Sequence, residues 1–325
     1  MANVLVIKSS KTDVYENLAF ETCLLDYATK NKDVAILFLW TNDKTVVIGK
    51  HQNPYKECNL NYMEQNQIKV SRRITGGGAV YHDKNNLNFS FVMSKDLYDV
   101  KRQFEVILKV LKKIGFSATL SGRNDVEIDG KKFSGNAFYK TKTSGLHHGT
   151  ILVDTDVDLI KNCLTPNKMK IKKHSVSSVK SRVVNLKEIK SDISKDEIIN
   201  SITEEFEKEY GVQTLLLDAV IDKSKVEEIT QKYGSKEWLF AKYKEEGIRI
   251  SGNFDWGFFE LVYVLVNGKV VFFEPSTDSL EIEIFDLLKE YIIGKSLNDI
   301  ENCNFAKTKL QKDILSDILL LVLNK

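Results

Sequence analysis

Residues 71 to 93, SRRITGGGAVYHDKNNLNFSFVM, combine glycines with basic and polar side chains in a way that suits anion binding. Three consecutive glycines, Gly76 to Gly78, lie between two stretches in which apolar and polar residues alternate, and such alternation predicts strands. Glycine adopts positive φ readily and has no side chain, so this loop can point successive backbone N–H groups at an anion. Arg72, Arg73 and His82 are further hydrogen-bond donors beside it. The stretch therefore predicts a phosphate site.

The glycines match no common nucleotide fingerprint. No Gly-Lys-Ser/Thr follows them, as it would in a Walker loop, and the dinucleotide pattern GxGxxG is absent. A glycine-rich hairpin with a basic stem is the structural alternative, and the glycines alone do not separate it from a phosphate site. The distinction depends on a second stretch further along the chain.

That second stretch is residues 121 to 140, SGRNDVEIDGKKFSGNAFYK. Asp129-Gly130 is a dipeptide favoured in two-residue turns, so a tight hairpin is predicted around it. Asn124 and Asp125 enter this hairpin and Lys132 lies near its exit. If they converge, they offer a phosphate donor, a carboxylate for Mg²⁺ and a mobile cation for developing negative charge. An ordinary charged hairpin is the alternative.

Two other polar stretches contain residue types that bind metals or anions. His147 and His148 are adjacent on a predicted strand and point to opposite faces, so they are not expected to share a zinc ion. Residues 169 to 183, MKIKKHSVSSVKSRV, carry Lys180 and Arg182 among several basic residues. This composition suits either a loop that closes over an anion or a solvated surface loop.

Composition narrows the class of protein that positions these residues. The chain has 325 residues, 42% of them hydrophobic, which is ample for one large domain or two ordinary ones. Its 47 basic and 45 acidic residues give a net charge of +2, so neither a nucleic-acid partner nor a membrane partner is expected. The four cysteines form no CxxC pair, and no signal-like or membrane-spanning run occurs, so a cytoplasmic protein with free thiols is expected.

The remaining pattern predicts the scaffold. Asp13 caps an amphipathic helix, and residues 35–40 and 45–49 form apolar, β-branched runs that are predicted to pair as a hairpin. From Ile248 onward, a hairpin on Asn267-Gly268 and two helices predict a small separate domain. The expected division is a catalytic domain at residues 1–246 and an accessory domain at residues 247–325, with the segment Gly234 to Gly247 as a hinge.

Seven motifs together resemble a known family. RRITGGGAVYHD, GRND, KKFSGNAF, HHGTILV, SVKSRVVNL, FDWG and STDSL follow one another in the order and spacing typical of lipoate-protein ligases of the large, two-domain bacterial type. The resemblance covers essentially the whole chain. It implies an α+β fold, in which a biotin/lipoate ligase-like catalytic domain has a mixed β-sheet with packed helices and a small α+β domain follows.

The resemblance also implies the chemistry. ATP and lipoate would give lipoyl-AMP and pyrophosphate, and the lipoyl group would pass to a lysine of a carrier domain, in a 2-oxoacid dehydrogenase E2 subunit or a glycine-cleavage H protein. Lys132 is implied as the catalytic residue that contacts both the adenylate and the lipoyl carboxyl. The expected nucleotide-binding set, which combines this resemblance with the loop reasoning, is Arg73, Gly76, Gly77, Gly78, Ala79, Val80, Tyr81, His82, Asn124, Lys132, Lys180 and Arg182, with Asp125 as the ligand of Mg²⁺.

Two alternatives remain open beside this interpretation. An octanoyl or lipoyl amidotransferase of the same fold would use a cysteine thioester, but no cysteine is near the glycines or Lys132 in the sequence. A non-catalytic lipoate-binding protein would not need the full phosphate-binding set. The chain departs from the family pattern at Lys180, where arginine is typical; the charge is kept but the bidentate fork is lost. Lipoate, octanoate and modified lipoate are all compatible acids.

Overall fold

A computed structural model describes residues 2–122, 124–165, 183–240 and 246–323. The first half of the chain contains β1 (Asn3–Lys8), α1 (Val14–Lys30), β2 (Val34–Trp40), β3 (Thr45–Ile48), α2 (Pro54–Glu57), α3 (Leu60–Gln65), β4 (Lys69–Arg72), β5 (Val80–His82), β6 (Asn86–Ser94), α4 (Val100–Lys113), β7 (Thr119–Ser121), β8 (Asp125–Ile128), β9 (Lys131–Lys140), β10 (Ser144–Leu152) and α5 (Val157–Cys163). The second half contains α6 (Leu186–Ile189), α7 (Lys195–Tyr210), α8 (Leu217–Val220), α9 (Lys223–Gly234), α10 (Lys236–Phe240), β11 (Ile248–Phe254), β12 (Gly257–Val266), β13 (Lys269–Thr277), α11 (Glu283–Ile292), a 3₁₀ helix (Leu297–Asn302) and α12 (Lys309–Leu323).

A seven-stranded mixed sheet forms the centre, in the order β1-β2-β6-β10-β9-β8-β7. β1 is parallel to β2, and the other neighbours are antiparallel. The sheet is covered on both faces, because residues of α4 and α7 pack on one side of β2 and β6 and residues of α1 pack on the other. This arrangement confirms the predicted α+β fold with a mixed sheet and packed helices.

The polar residues of β6 belong to its second face. Leu87, Phe89 and Phe91 point into the cluster with α4 and α7, and the strand is buried at every position. Alternation therefore sends Asn88 and Ser90 to the opposite face, where they are buried as well. Burying a row of polar side chains on a central strand costs free energy unless they are hydrogen-bonded or face a ligand. This face of β6 is therefore a candidate binding site.

The glycine loop is carried by a second, three-stranded sheet in the order β4-β3-β5. β4 pairs with β3 in parallel and β5 pairs with it antiparallel, so the loop crosses from one side of β3 to the other. The predicted hairpin of β2 and β3 is wrong. Both edges of β2 are occupied by β1 and β6, so β3 has no edge of β2 to pair with.

Both predicted two-residue hairpins are confirmed. Asp129 and Gly130 have φ of 50° and 72°, and Asn267 and Gly268 have φ of 51° and 75°, as a type I′ turn requires. The predicted cap of α1 is also present, since Asp13 accepts from the backbone N–H groups of Tyr15 and Glu16. Local sequence decided these features because each depends on residues close together in the chain.

The C-terminal part has a hydrophobic cluster of its own. Its three-stranded sheet, β11-β12-β13, packs on α11, the 3₁₀ helix and α12 through residues such as Phe259, Phe273 and Phe285. This separate cluster is compatible with the division at residues 246 and 247, which stays a prediction. Throughout the described ranges, no helix combines the length and apolar character needed to cross a membrane.

Candidate active site

The glycine loop, the β8–β9 hairpin and β10 converge on one cavity. The cavity encloses roughly 580 Å³, part of it open to solvent. Its lining includes the predicted residues Arg73, Gly77, Gly78, Ala79, Val80, His82, Asn124 and Lys132. The two stretches, residues 71–93 and 121–140, thus line a single site as two of its walls, which the hairpin alternative for either stretch does not predict.

The glycine loop is pressed against the C-terminal part of the chain. A Cβ on Gly76 would lie 2.3 Å from the carbonyl oxygen of Ser279, so no larger residue fits there without movement. Gly77 has φ of +87° and donates its N–H to the same carbonyl oxygen over 3.0 Å. Gly76 is therefore buried against Ser279 and does not line the cavity, whereas Gly77 and Gly78 do.

Arg73 shapes the loop from within. Its Nε donates to Thr75 Oγ1 over 3.0 Å, and its Nη2 donates to the carbonyl oxygens of Gly76 and Gly78 over 2.6 and 2.7 Å. Burial lowers the pKa of Arg73 to about 10, although the Glu21 carboxylate opposes this shift, so the guanidinium is charged at neutral pH. Arg73 thus contributes positive potential to the cavity while its N–H groups hold the loop carbonyls.

Arg72 points away from the cavity. It is fully buried and donates to the carbonyl oxygens of Gly49, Gln52 and Leu239, over 3.2, 2.7 and 2.7 Å. Its predicted part as a phosphate donor is not compatible with this placement. The guanidinium instead ties the turn after β3 to α10.

Strand alternation divides the next two residues. Tyr81 is buried in a cluster with Val46 and Cys163 and is not part of the cavity wall. Burial raises the pKa of its phenol. His82 lies on the opposite face and lines the cavity. Burial, aided by the charges of Arg73 and His148, lowers the pKa of His82 to about 3, so this residue is a neutral donor and not a cation.

A buried hydrogen-bond network links α1 to the glycine loop. Glu21, 1% exposed, accepts from Ser90 Oγ over 2.5 Å and lies 2.9 Å from His148 Nδ1. His148 Nε2 lies 2.9 Å from Thr75 Oγ1, which accepts from Arg73. Because Arg73 can only donate, the threonine hydroxyl can donate to Nε2, and the imidazole N–H on Nδ1 then faces Glu21.

His147, the neighbouring histidine, is hydrogen-bonded to the wall of the cavity formed by the β8–β9 hairpin. It is fully buried, with Nε2 3.0 Å from Asn136 Oδ1 and Nδ1 3.0 Å from Oε1 of Gln103 on α4. Asn136 in turn donates through Nδ2 to the Asn124 carbonyl oxygen over 3.0 Å, and Asn124 donates back to the Asn136 carbonyl oxygen over 2.6 Å. The two histidines therefore serve opposite faces of the sheet, as the sequence predicts.

Lys132 lies at the open side of the cavity. Its Nζ is 2.8 Å from Asp125 Oδ1, and about a third of each side chain is exposed, 34% and 32%. Its carbonyl oxygen accepts from the N–H of Val184, which brings residue 183 and those after it to the site. Lys180 and Arg182, the other basic residues predicted here, lie outside the described residues.

We examined the described ranges for clusters of metal-ligating side chains and for cysteines at the cavity. No group of three or more histidine, cysteine or acidic side chains there is placed to hold a metal ion. Cys23, Cys58 and Cys163 are buried, Cys303 is partly buried, and none of the four lines the cavity. Burial raises the pKa of Cys23, Cys163 and Cys303 to about 11 and that of Cys58 to about 12, which disfavours the thiolate.

A second contact joins the C-terminal part to the segment after β3. Asp286 on α11 lies 2.6 Å from Lys50 Nζ and 3.3 Å from His51 Nε2. The N–H of Thr277 donates to the His51 carbonyl oxygen over 3.1 Å. Burial acts to raise the pKa of Asp286, but the hydrogen bonds and charges of His51 and Lys50 outweigh it and lower the pKa to about 2.

Sequence reasoning missed several residues of the site, chiefly Glu21, Trp40, Asn88, Gln103 and Asn136. One signal was present for Glu21: it lies between Leu18 and Leu25 on the apolar stripe of α1, where a carboxylate needs a partner. Asn88 likewise occupies the buried strand β6. Their partners lie on distant elements and gave no local signal.

Comparisons with known proteins place the chain in a family. Residues 13–207 match the profile of the family described as lipoyl protein ligase A/B catalytic domain. Lipoate-protein ligase A of Psychrobacter cryohalolentis is 38% identical over 297 residues, 88% of this chain and 86% of that protein. Lipoate-protein ligase A of Bdellovibrio bacteriovorus is 34% identical over 304 residues, 91% of this chain and 89% of that protein.

Three solved structures are similar over most of the chain. LipL1 of P. falciparum, in complex with lipoate, superposes with a TM-score of 0.83 at 30% identity, covering 98% of this chain and 99% of that one. A bipartite lipoate protein ligase of Thermoplasma acidophilum, studied with its E2 lipoyl domain, has a TM-score of 0.63 at 29% identity and covers 76% and 99%. A lipoate-protein ligase A bound with ATP has a TM-score of 0.60 at 28% identity and covers 73% and 98%.

Proposed function

This chain belongs to the lipoyl protein ligase A/B catalytic-domain family, and from that premise we propose that it is an ATP-dependent lipoate-protein ligase. The observation that carries the proposal is the convergence of the glycine loop and Lys132 on one cavity that is open at its charged side and buried at its apolar side. An acid with a charged head and an apolar tail fits such a cavity in one direction. Its carboxylate then lies where ATP can reach it.

In the first half-reaction, a carboxylate oxygen attacks the α-phosphorus of ATP. The new bond joins that oxygen to phosphorus, and the bond to the bridging oxygen of pyrophosphate breaks. Two anions approach each other in this step, so positive charge near the reacting oxygens stabilises the transition state. We assign this part to Lys132, whose ammonium exchanges Asp125 for the substrate, with support from the charged Arg73 behind the loop.

In the second half-reaction, the amine of a carrier lysine attacks the carbonyl carbon of lipoyl-AMP. An amide bond forms, the bond to the phosphate oxygen breaks, and AMP leaves while the nitrogen loses a proton. Lys132 again stabilises negative charge on the departing phosphate and needs no role as a base. Its partial exposure suits a residue that must meet two successive partners.

For the nucleotide we assign the exposed part of the loop. Gly78 to Val80 and Asn124 line the cavity and can offer N–H groups to phosphates, and Gly77 can do so once its N–H leaves the Ser279 carbonyl oxygen. Gly76 and Tyr81 would contribute through the backbone conformation alone, and His82, Lys180 and Arg182 stay predicted ligands. Mg²⁺ in proteins commonly takes one or two carboxylates together with phosphate oxygens and water, a donor set that Asp125 fits. The ion would neutralise phosphate charge.

We infer that the accessory domain, residues 247–325, regulates access to the loop. In this state the N–H of Gly77 is taken by the Ser279 carbonyl oxygen, so it is not available to a phosphate. ATP binding and domain release would then be linked, with the segment between Gly234 and Gly247 as the hinge. A swing of this domain would also open a surface for the carrier.

The acceptors we propose are apo lipoyl-carrier domains, E2 subunits or an H protein, with the reaction in the cytoplasm. An E2 lipoyl domain accompanies the Thermoplasma acidophilum ligase among the similar structures. An amidotransferase is not supported, since no cysteine lines the cavity. A binding protein without activity would not need a charged lysine opposite a glycine loop.

One experiment tests the function. Pyrophosphate exchange into ATP, dependent on added lipoate, measures the first half-reaction, and ATP-dependent labelling of a panel of apo carrier domains measures the second. Carrier domains whose acceptor lysine is changed to arginine are the matched control. Exchange without labelling would limit the protein to adenylation, and labelling without ATP from an acylated carrier would overturn the proposal in favour of an amidotransferase.

A further inference from the structure

Two lysines and a histidine of the segment after β3 face acidic side chains of the C-terminal part. Lys50 Nζ lies 2.6 Å from Asp286 Oδ2, and His51 Nε2 lies 3.3 Å from Asp286 Oδ1. Lys56, on α2, forms an ion pair with Glu260 on β12. In each contact the basic group belongs to the segment and the acid to the C-terminal part. The segment therefore has a positive surface that carboxylates cover in this state.

The surroundings of the segment are also positive. Residues 49–59 contain one acid, Glu57. The guanidinium group of Arg72 donates to the Lys50 carbonyl oxygen over 3.0 Å and adds a positive charge close to the segment. Burial alone would raise the pKa of Asp286, but the hydrogen bonds and charges of the facing histidine and lysine lower it to about 2. The segment thus favours a carboxylate as its partner.

This segment adjoins the cavity. The N–H of Lys50 donates to the Thr75 carbonyl oxygen over 2.9 Å, and a Cβ on Gly49 would lie 2.3 Å from the Gly77 carbonyl oxygen. The segment and the glycine loop are therefore in direct backbone contact. With the C-terminal part in place, the side chains of Lys50 and Lys56 are still 21% and 44% exposed. A protein that binds these lysines lies beside the loop that borders the cavity.

We propose that Lys50 and Lys56 form a docking surface for the carrier domain, which binds them through carboxylates close to its acceptor lysine. This inference rests on the proposed function and deepens it. The second half-reaction brings a protein to this cavity, and the charge of the two lysines suits an acidic one. Asp286 and Glu260 occupy the same lysines in this state, so the C-terminal part and the carrier compete for them.

The test measures transfer from supplied lipoyl-AMP to an apo E2 lipoyl domain, or to the H protein if only that carrier is labelled. We expect Lys50→Gln combined with Lys56→Gln to raise KM for the carrier about tenfold with little change in kcat, since two exposed ion pairs are lost. Added salt should raise KM of the wild type and hardly change that of the variant. An unchanged KM in the variant would overturn the inference.

The acidic side of the contact provides the matched control. Asp286→Asn combined with Glu260→Gln breaks the same ion pairs but leaves both lysines in place. We expect no rise in KM for the carrier in this variant. An equal rise in both double variants would mean that the lysines act only by holding the C-terminal part, and would overturn the inference. Lys113→Gln, which removes a surface pair with Glu204, shows the effect of an unrelated lysine.

Variants of the carrier test the partner's chemistry. Carboxylates beside its acceptor lysine, changed to amides, should raise KM for the wild type and leave KM for the double lysine variant unchanged, because the two changes remove the same interaction. Independent, additive rises would contradict direct pairing.

The two proposals fail in different ways. A protein with neither pyrophosphate exchange nor transfer would refute the ligase function, whereas normal exchange and transfer with an unchanged KM in the double lysine variant would refute only the docking surface. Thermal unfolding checks that each variant is folded. If the double variant does not fold, Lys56→Gln alone decides the question, with an expected rise of about threefold, roughly the square root of tenfold because two lysines share the effect.

Discussion

The two walls of the cavity are built on opposite principles. Behind the glycine loop the wall is buried and braced: Arg73 is 5% exposed and donates to the carbonyl oxygens of Val47 and Gly76, and Glu21, 1% exposed, accepts from Ser90 Oγ. The hairpin wall presents Lys132, which is one-third exposed and held by a single ion pair to Asp125. One wall keeps a fixed shape, and the other carries a charge that can move.

In the proposed reaction, the glycine-loop wall supplies a fixed shape and the hairpin wall supplies a mobile charge. A loop that cradles phosphates works best when its geometry is set before the substrate arrives, because no free energy is then lost in ordering it. A lysine that must follow charge through two half-reactions needs freedom to change partners. Substitutions in the two walls should therefore have different effects. Those in the glycine-loop wall should lower the stability of the protein and its affinity for the nucleotide, and those in the hairpin wall should lower the reaction rate.

The largest effect is expected from Lys132→Ala. Loss of the cation that stabilises the transition state should slow pyrophosphate exchange by on the order of a hundredfold or more. Stability should hardly change, because the side chain is partly exposed. Thermal unfolding and exchange rates measured together check both parts, and Lys131→Ala, next to it and exposed, is the matched control. A near-normal exchange rate would remove Lys132 from the mechanism.

Gly77→Val should distort the glycine loop. The position has φ of +87°, and a Cβ would lie 3.0 Å from Arg73 Nη2, so a β-branched side chain strains the loop. We expect ATP affinity to fall by about tenfold or more, as for a loop displaced by roughly 1 Å. Titration with ATP measures it. Gly78→Ala has open space for its Cβ and serves as the folding control; unchanged affinity in Gly77→Val would reduce the loop to a turn.

Glu21→Ala measures how much the buried hydrogen-bond network around Glu21 contributes to stability. The variant leaves the His148 Nδ1–H and the Ser90 hydroxyl without their acceptor, and unpaired buried donors cost about 1–3 kcal/mol each. We therefore expect the free energy of unfolding in urea to fall by about 2–4 kcal/mol. Glu16→Ala on the same helix removes only a surface pair with Lys11 and should cost less than about 1 kcal/mol. Equal losses would mean that the network adds nothing.

A pH-dependent effect is expected at the contact between the two parts of the chain. The pKa of Asp286 is lowered from 3.8 to about 2, so its contribution is complete above pH 3.8 and is lost as the pH falls toward 2. Asp286→Asn should therefore lower the free energy of unfolding at pH 5, by less than about 1 kcal/mol since the pair is partly exposed, and lower it progressively less in more acidic solution. A deficit independent of pH would contradict the assignment.

The smallest effect is expected from the cysteines. With all four changed to serine or alanine, ligation should continue, since none lines the cavity and burial raises the pKa of each thiol. Modest losses of stability are expected at the buried positions Cys23, Cys58 and Cys163. Mass spectrometry of the protein incubated with an acylated carrier gives the opposing outcome: an acyl-thioester on any cysteine would favour the amidotransferase.

Much of the site could be predicted because its chemistry depends on residue types that are rare in combination. Gly77 and the Asp129-Gly130 turn have positive φ, and their residue types indicate such positions directly in the sequence. The pairing of β2 with β3 was wrong because apolar alternation shows that a strand has a buried face but not which neighbour it takes. For the same reason, the sequence did not show that the Arg72 side chain points away from the cavity.

The sequence by itself determined the local conformations and the charged groups: the hairpin turns, the capped helix at Asp13 and the cation at Lys132. Only the tertiary structure decided that Glu21 meets His148, that Arg73 braces the loop and that His82 and Asn88 line the same cavity. The physical reason is the order of strands in the sheet. That order brings together side chains from α1, β5, β6 and β10. It follows from the burial of apolar surface across the whole domain, which cannot be inferred from any local stretch of sequence.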